Sequence, residues 1–394
     1  MHCGSTDLLN QIREITWMNL RNVPSRVGAS SVIVVGIAGV VAVLVSILAM
    51  ATGFRTALES TGSPNRAIVL RGGSGGELSS GVGQESADIV AQMDGVAAAS
   101  GELYAIADVP KRSNGTPANL VVRGVEQNAF VVRPELHIVA GRNFEPGKGE
   151  LIAGKRAVAE FTGIDLGANV RFRDSDWKVV GVFEANGDAN ESEVWADVKV
   201  LQAAFRRGNL ISTMRLQLTD PAVLSTIAER IANDPRLDLQ IRSEQDFYGD
   251  QSKQLTAIIT GFGYLVGVIM AIGAIFAALN TMYSAVSART VEIATLRAIG
   301  FGVAPVLVSV LIEALILALL GGALGAVLSY LVFNGMTIST LNRGAFSQVA
   351  FDFAVTPKLM TQGLTWAMAL GFVGGLFPAL RAARLPITVA LRGE

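Results

Sequence analysis

Cysteine, histidine and charged residues are all scarce in this sequence, and each scarcity narrows the possible functions. The one cysteine, Cys3, cannot form a disulfide within the chain. With only His2 and His137, a histidine-based metal site or a Ser–His–Asp hydrolase is nearly excluded. Charged residues make up 16% of the chain, whereas about a quarter of residues in soluble proteins are charged. The net charge of −1 gives no reason to expect a nucleic-acid partner.

Long uncharged segments are present instead. No charged residue lies between Lys253 and Arg289, and Glu313 is the only one between Arg297 and Arg343. Each of these stretches is longer than the ~20 apolar residues that cross a bilayer. The sequence is therefore that of an α-helical integral membrane protein, with the lipid bilayer as its surroundings.

Four transmembrane helices are predicted. A signal peptide is the alternative for the first, because Ala49-Met50-Ala51 resembles a cleavage site, but the apolar region exceeds the about 7–15 residues of a signal peptide. Basic residues near both termini and in the connector between the second and third spans indicate the cytoplasmic side of a bacterial inner membrane. The predicted spans are residues 29–52, 254–284, 302–335 and 359–380, and a cytoplasmic tail follows at 381–394.

Two short segments flank these spans. Residues 1–28 are predicted to form an amphipathic cytoplasmic helix in the membrane interface, with a disordered tail as the alternative. A short periplasmic loop at 336–358 joins the third and fourth spans. This loop carries Arg343 and Lys358, so the charge asymmetry supports the topology without deciding it.

Residues 53–253 have an ordinary polar composition and are predicted to form a large α+β periplasmic domain between the first and second spans. The two ends of this segment share the order strand, helix, strand. We expect the two ends to pack into one layer, with the middle of the segment inserted between them.

Small residues recur at four-residue spacing within the predicted spans, which allows helices to approach closely in lipid. Packing inside one four-helix bundle and a dimer interface both account for this spacing. Four spans make a thin bundle for a path across the membrane, and this favours a dimer. The glycines of these rows are Gly263, Gly267, Gly321, Gly325, Gly371 and Gly375.

The connector ARTVEIATLRAIGF (288–301) is charged and helix-forming, and Gly300 can end its helix. A helical wheel gives it a mixed charged and apolar face and a face of small residues. We expect the small face to lie on the protein's own bundle and the mixed face to dock a partner. The mixed face consists of Arg289, Glu292, Ile293 and Leu296, and the other of Ser287, Val291, Ala294 and Ala298.

Glu313 is the one ionisable residue within a predicted span. Such residues are costly in a membrane, so a functional role is the default hypothesis. A structural hydrogen bond to another span, through a hydroxyl such as that of Thr281 or Ser284, is the alternative.

No nucleotide site is evident. The segment 149–155 resembles the start of a phosphate-binding loop, but Arg156 stands where a Ser or Thr is needed to bind magnesium. No cofactor or metal is therefore expected in this chain, and ATP with magnesium would be bound by a partner subunit.

Several segments together resemble one family. The connector has Arg–Glu–Ile and Leu–Arg–Ala–Ile–Gly elements, and GLFPALRAARLPITVALR (375–392) lies near the end of the chain. Two stretches of the large domain, 139–161 and 165–185, add to the pattern. Over essentially its full length the chain resembles the FtsX/MacB-type permeases of ABC transporters, also called mechanotransmission systems. It departs from MacB itself, which carries its ATPase on the same chain.

The resemblance implies a permease dimer, formed with a second copy or a paralogue, that recruits a separate ABC ATPase subunit. Residues 285–301 would be the cytoplasmic coupling helix seated in that ATPase. The periplasmic domain would divide into a porter-like part, about 65–117 with 209–243, and an inserted subdomain at about 118–208. The residues assigned to ATPase coupling are Arg289, Glu292, Ile293, Leu296, Arg297 and Gly300.

The leading interpretation is an exporter of MacB type that expels peptides, toxins or antibiotics with an adaptor and an outer-membrane channel. A LolC/LolE-like lipoprotein-releasing permease and an FtsX-like scaffold that activates a cell-wall hydrolase are the alternatives. An enzyme is the least expected class, because no nucleophile–base set is evident.

Overall fold

The computed structural model describes residues 4–21, 27–342 and 347–384. Arg343 and the predicted tail beyond residue 384 lie outside the described residues. Contacts divide the chain into a helical unit (residues 1–51, 258–336 and 354–394) and an α/β unit (residues 52–257 and 337–353). The helices are α1 (Gly4–Arg21), α2 (Val27–Glu59), α3 (Gln84–Ala91), α4 (Ala129–Val132), α5 (Lys155–Glu160), α6 (Val198–Ala204), α7 (Val223–Asn233), α8 (Glu244–Ala288), α9 (Thr290–Ala298), α10 (Val303–Phe333) and α11 (Pro357–Ala383).

Twelve strands are found in the described part of the chain. They are β1 (Arg66–Arg71), β2 (Val96–Pro110), β3 (Pro117–Val125), β4 (His137–Gly141), β5 (Glu150–Gly154), β6 (Asn169–Phe172), β7 (Ser175–Glu184), β8 (Glu193–Asp197), β9 (Thr213–Leu218), β10 (Leu239–Ser243), β11 (Thr337–Asn342) and β12 (Ser347–Asp352).

Four helices, α2, α8, α10 and α11, are long and apolar enough to cross a membrane. The shortest, α11, has 27 residues and is about 40 Å long at 1.5 Å per residue, against a hydrocarbon core of about 30 Å. The prediction of four spans is confirmed.

The second spanning helix, α8, begins at Glu244, well before the predicted start of the span at residue 254. Its N-terminus is capped by Ser243, whose hydroxyl accepts a hydrogen bond from the Asp246 amide while donating one to the Asp246 carboxylate. Polar residues therefore continue the same helix out of the apolar region. A change in composition marks the end of an apolar segment but not the end of a helix.

Large exposed apolar side chains on α8 occupy a limited band, from Ile258 to Phe276. This band is about 27 Å long at 1.5 Å per residue, close to the thickness of a hydrocarbon core. Beyond it, the exposed positions of α8 include Asn280, Ser284 and Ser287. The C-terminal end of α8 thus extends past its lipid-type surface.

The α/β unit is built on one ten-stranded sheet with the order β10-β1-β9-β2-β3-β8-β5-β7-β4, and β6 pairs with β7. The expected strand–helix–strand ends are present as β1–α3–β2 and β9–α7–β10, whose four strands are neighbours in the sheet. In α7, Val223, Ile227 and Ile231 recur at four-residue spacing, a pattern that predicts one buried face. Ile227 and Ile231 are buried, and Val223 is partly buried.

The sheet departs from the expected subdivision at residue 118. Strand β3, the first of the insert, pairs with β2 from Glu102↔Val125 to Pro110↔Pro117. The remaining strands of the insert then extend the same sheet through β8. The insert therefore adds strands to the layer formed by the two ends, because β2 is long enough to pair with β9 along one half and with β3 along the other.

The connection between α10 and α11 is a β-hairpin rather than a plain loop. Its strands β11 and β12 pair in antiparallel register, and residues 337–353 belong to the α/β unit. Phe351 is fully buried there, with its ring 5.4 Å from that of Phe54 in an edge-on arrangement. The sequence 336–358 gave no sign of this docking, because its apolar residues find their partners in distant parts of the chain.

Candidate functional site

The connector is divided by a break at Arg289. This residue has φ −105° and ψ 10°, and it separates α8 from α9. After α9, Gly300 takes a positive φ of 108°, which glycine adopts readily, and α10 follows. The connector is thus a short separate helix, Thr290–Ala298, rather than one helix over 285–301.

The orientation of α9 differs from the expected one. Arg289 and Ile293, assigned to the docking face, are only 5% and 7% exposed. Val291 and Ala298, assigned to the face against the bundle, are exposed, Val291 by 57%. Ala294, which was assigned to the same face as Val291, is only 1% exposed, so residues of both predicted faces are covered.

The other members of the predicted coupling set lie at or near the surface. Glu292 and Gly300 are exposed, and Leu296 and Arg297 are partly buried. Ile299, which was not in the set, is 69% exposed. The large apolar residues of the connector that are exposed are therefore Val291 and Ile299. Glu292 and Thr295, which lie between them in the sequence, are exposed as well.

Glu313 is paired with Arg289. Two guanidinium nitrogens of Arg289, Nη1 and Nη2, donate to the two carboxylate oxygens at 2.9 and 3.2 Å. Both side chains are buried. The partner is therefore a charged group and not the hydroxyl of Thr281, which donates to the carbonyl of Ala277.

The N-terminal helix α1 packs against this region. Its Ile15 is 4% exposed. A cavity of about 20 Å³ is lined by Ile15 and Met18 of α1 together with Arg289, Ile293 and Glu313. Trp17 of the same helix is exposed. One face of α1 thus covers the break, whereas its placement in a membrane interface stays a prediction.

Each of the six glycines in the small-residue rows faces another helix of the same chain. A Cβ at Gly263 or Gly267 would meet side chains of α2. Those at Gly321 and Gly325 would overlap carbonyl oxygens of α2, and those at Gly371 and Gly375 would overlap alanines of α10. These six glycines are therefore closely packed against other helices of the same chain.

A second concentration of charge, which sequence reasoning missed, lies inside the α/β unit. Four arginines and four glutamates there are at least nine-tenths buried, and their side chains form one connected network of ion pairs. We call this network the charge cluster. Its members are Arg66, Glu77, Glu102, Arg123, Arg133, Glu193, Arg215 and Glu244.

Arg123 is at the centre of one half of the charge cluster. Its guanidinium group donates to Glu77, Glu102 and Glu193 at 2.6–3.3 Å. Arg133 donates to the two carboxylate oxygens of Glu102 through Nη1 and Nη2. Burial alone would raise the pKa of the Glu77 carboxyl, but the charges of Arg123 and Arg215 overcome it and lower the pKa to about 2. The Glu77 carboxylate is therefore held in the charged form.

The charge cluster also ties the sheet to the two helices that enter and leave the α/β unit. Arg66, at the start of β1, donates to Glu244, the first residue of α8, and to the carbonyl of Thr61, just after α2. Arg215 of β9 binds Glu244 and the hydroxyl of Tyr248 on α8. One signal in the sequence was available: Arg123 follows Val121 and Val122 in β3, and Arg215 stands between Met214 and Leu216 in β9.

Asp188 is a further buried acid of the α/β unit. Its carboxylate accepts hydrogen bonds from the backbone and side-chain nitrogens of Asn190 at 2.9 and 2.7 Å. Burial raises its pKa to about 7, with the Asn190 hydrogen bond opposing this rise and the charge of Glu191 adding to it. Because the raised pKa belongs to the folded state, protonated Asp188 favours folding, and the benefit is lost as the pH rises.

We therefore expect the free energy of unfolding to fall between pH 4 and about 7 through this group. The drop should reach a few kcal/mol, since one pKa unit corresponds to about 1.4 kcal/mol. Asp188→Asn should flatten this part of the profile. Tryptophan fluorescence during unfolding of the purified full-length chain in detergent, repeated across this pH range, measures it. Equal slopes for the two proteins would contradict the assignment.

Four membrane-spanning helices with a large α/β domain between the first two define a class of integral membrane protein. Residues 30–234 match the family model of the MacB-like periplasmic core domain, and residues 264–387 match that of the FtsX-like permease C-terminal region. The chain belongs to the FtsX/MacB-type permeases of ABC transporters.

Two solved structures are similar to about half of this chain. The periplasmic region of MacB from Actinobacillus actinomycetemcomitans is 14% identical, over 48% of this chain and 92% of that one, with a TM-score of 0.36. The extracellular domain of the ABC-type transporter YknZ from Gram-positive bacteria is 18% identical, over 45% and 100%, with a TM-score of 0.36. A comparison with curated proteins gave no match.

Proposed function

We propose that this chain is the permease subunit of an ATP-driven ABC exporter of MacB type, in a bacterial inner membrane with both termini in the cytoplasm. It would bind a separate ABC ATPase and pair with a second copy or a paralogue. Motion of its periplasmic α/β domain would expel peptides, toxins or antibiotics through an adaptor and an outer-membrane channel.

The surface of α9 carries this proposal. Val291 on α9 and Ile299 just after its last residue are 57% and 69% exposed, and both follow α8 beyond its apolar band. A site in water that presents two large apolar residues with a charged one, Glu292, fits a protein partner better than lipid. Membership of an ABC permease family supports an ATPase as that partner.

The helix α8 supports a mechanical role. It is continuous over 45 residues, from Glu244 in the charge cluster to Ala288 beside the break. Such a helix is about 67 Å long. We infer that a displacement applied at the connector is passed along α8.

Purification of the tagged full-length chain from its native membranes, with mass spectrometry of the retained proteins, tests the proposal. Val291→Asp combined with Ile299→Asp should lower the retained ATPase at least about tenfold, because unpaired carboxylates are costly in an apolar interface. Val131→Asp is the matched control, since Val131 is 63% exposed in the α/β unit. The pair Glu292→Lys and Arg297→Glu tests the charged residues of the connector.

The proteins retained by the wild type distinguish the functions open to this family. A periplasmic adaptor would support export, whereas a lipoprotein carrier or a cell-wall hydrolase would support the LolC/LolE-like or FtsX-like alternative. A wild-type preparation without any ATPase would contradict the proposal itself.

A further inference from the structure

The Arg289–Glu313 pair lies where the connector meets the third span. We propose that this pair is a positioning contact that makes the connector and α10 move together, so that motion of the docked ATPase reaches the spans. The inference rests on the proposed function, because it concerns how the ATPase-bound connector acts on the rest of the permease.

The geometry places Arg289 at a junction of three helices. Its backbone amide donates to Val286 of α8, and its carbonyl accepts from Ile293 of α9. Its side chain reaches Glu313 of α10 through two hydrogen bonds. A two-point bond from the residue at the break to a third helix restricts bending between α8 and α9.

The position along the helices agrees with this role. Arg289 lies 13 residues past Phe276, the end of the apolar band of α8, or about 20 Å farther along that helix. The length of α10 from Glu313 to Phe333 is about 30 Å, enough to cross a hydrocarbon core. The pair is therefore at the end of the spans from which the connector projects, rather than at the bilayer midplane.

Stability alone does not explain a charged pair at this place. Its surroundings are apolar, and the cavity beside it is lined by Ile15, Ile293 and Val306 among others. Burying two charges carries a desolvation cost that well-packed apolar residues of similar size would avoid. Unlike apolar packing, a buried charged pair tolerates only one arrangement of the two helices. A shift of either helix leaves a buried charge without its partner.

Helix α1 also packs over the cavity beside Arg289 and Glu313. Ile15 of α1 is buried over the same region, and the described side chains around the cavity include one further charged residue, Glu292. Glu292 is exposed. Within the described surroundings, Arg289 is thus the cation that bonds Glu313, and the pair can be removed without touching Val291 or Ile299.

The test uses the purified complex of permease and ATPase in nanodiscs, with hydrogen exchange measured by mass spectrometry with and without ATP and vanadate. Segment 290–298 reports on docking, and segment 244–257, at the start of α8, reports on transmission. Glu313→Gln and Arg289→Gln should retain the ATPase and the nucleotide-dependent change at 290–298. Both should lose most of the change at 244–257, by about fivefold or more.

A charge exchange, Arg289→Glu with Glu313→Arg, is the decisive variant and should restore the change at 244–257 to within about twofold of the wild type. If the single variants are not recovered folded, this exchange decides alone. Transmission that is undiminished in the single variants, or absent in a folded and assembled exchange variant, would overturn the inference. Loss of the ATPase from the single variants would assign the pair to docking instead and would also overturn it.

Failure of the proposed function has a different signature. In that case the wild type itself would retain no ATPase, or Val291→Asp with Ile299→Asp would retain as much as the wild type. The Arg289–Glu313 result is informative only about transmission, because its variants leave the exposed face of α9 unchanged.

Discussion

Replacing Arg215 by methionine is expected to lower the free energy of unfolding of the α/β domain by about 3–5 kcal/mol, the usual cost of removing one partner of a buried ion pair. Arg215 is fully buried in β9. It donates to Glu244 at 2.7 Å, to Glu77 at 3.1 Å and to the Tyr248 hydroxyl at 2.9 Å. Methionine fills similar space but removes one of the two arginines that bind each of Glu77 and Glu244, and it leaves the Tyr248 hydroxyl without this donor.

The same substitution should make the domain more sensitive to acid. In the wild type the pKa of Glu77 is lowered to about 2, so the stability that this group contributes is present above its ordinary pKa of 4.5 and is lost as the pH falls toward 2. Without the charge of Arg215, less positive charge opposes the effect of burial, so the pKa of Glu77 is higher than in the wild type and the loss begins at higher pH. The variant should therefore unfold at a higher pH than the wild type on acidification.

Unfolding of the full-length chain in detergent, followed by the fluorescence of Trp177 and Trp195, measures both effects. Arg230→Met is the matched control, because Arg230 pairs with Asp94 at the surface and such pairs contribute about 0–1 kcal/mol. Equal destabilisation by the two variants would mean that the charge cluster has no special role in stability.

Phe351→Ala is expected to destabilise the α/β domain by about 3–5 kcal/mol, as large-to-small substitutions in a packed core do. Phe351 is fully buried against Phe54 of α2. The hairpin is also held by Arg156, which donates to the carbonyl of Ala350 at 3.0 Å and pairs with Asp352 at 2.6 Å. Loss of the Phe351 ring should therefore loosen the hairpin, because the bonds of Arg156 hold it only at Ala350 and Asp352.

Hydrogen exchange over residues 347–352 should rise in Phe351→Ala and stay unchanged in Leu341→Ala, a substitution at a 41% exposed position of the same hairpin. Gly53→Ala provides a second approach to the same contact, because a Cβ at Gly53 would overlap the carbonyl oxygen of Asp352. An unchanged exchange rate in both Phe351→Ala and Gly53→Ala would show that the hairpin is held independently of α2.

The features that the sequence predicted are those set by local pattern. Uncharged runs predicted the four spans, since an apolar segment of sufficient length has few other stable environments. Ile227 and Ile231 predicted the buried face of α7 through their spacing. The motifs of the connector and of residues 375–392 predicted the family, which the family models for residues 30–234 and 264–387 confirm.

The features that the sequence did not predict depend on residues far apart in the chain. The wheel of the connector placed Arg289 and Ile293 on one face with Glu292, but contacts with Ile15 and Glu313 cover Arg289 and Ile293 while Glu292 stays exposed. The hairpin could not be foreseen either, because Phe351 is buried by Phe54, almost three hundred residues earlier.

The sequence by itself determined the membrane class, the number of spans and the presence of a large domain with two similar ends, because these follow from composition and periodicity. Only the tertiary structure decided what the charged residues do. Arg215 and Glu77 are far apart in sequence yet bonded in a buried cluster, and Glu313 finds its partner in Arg289. A buried charge is stable only beside its counterpart, and which counterpart it meets is fixed by the fold.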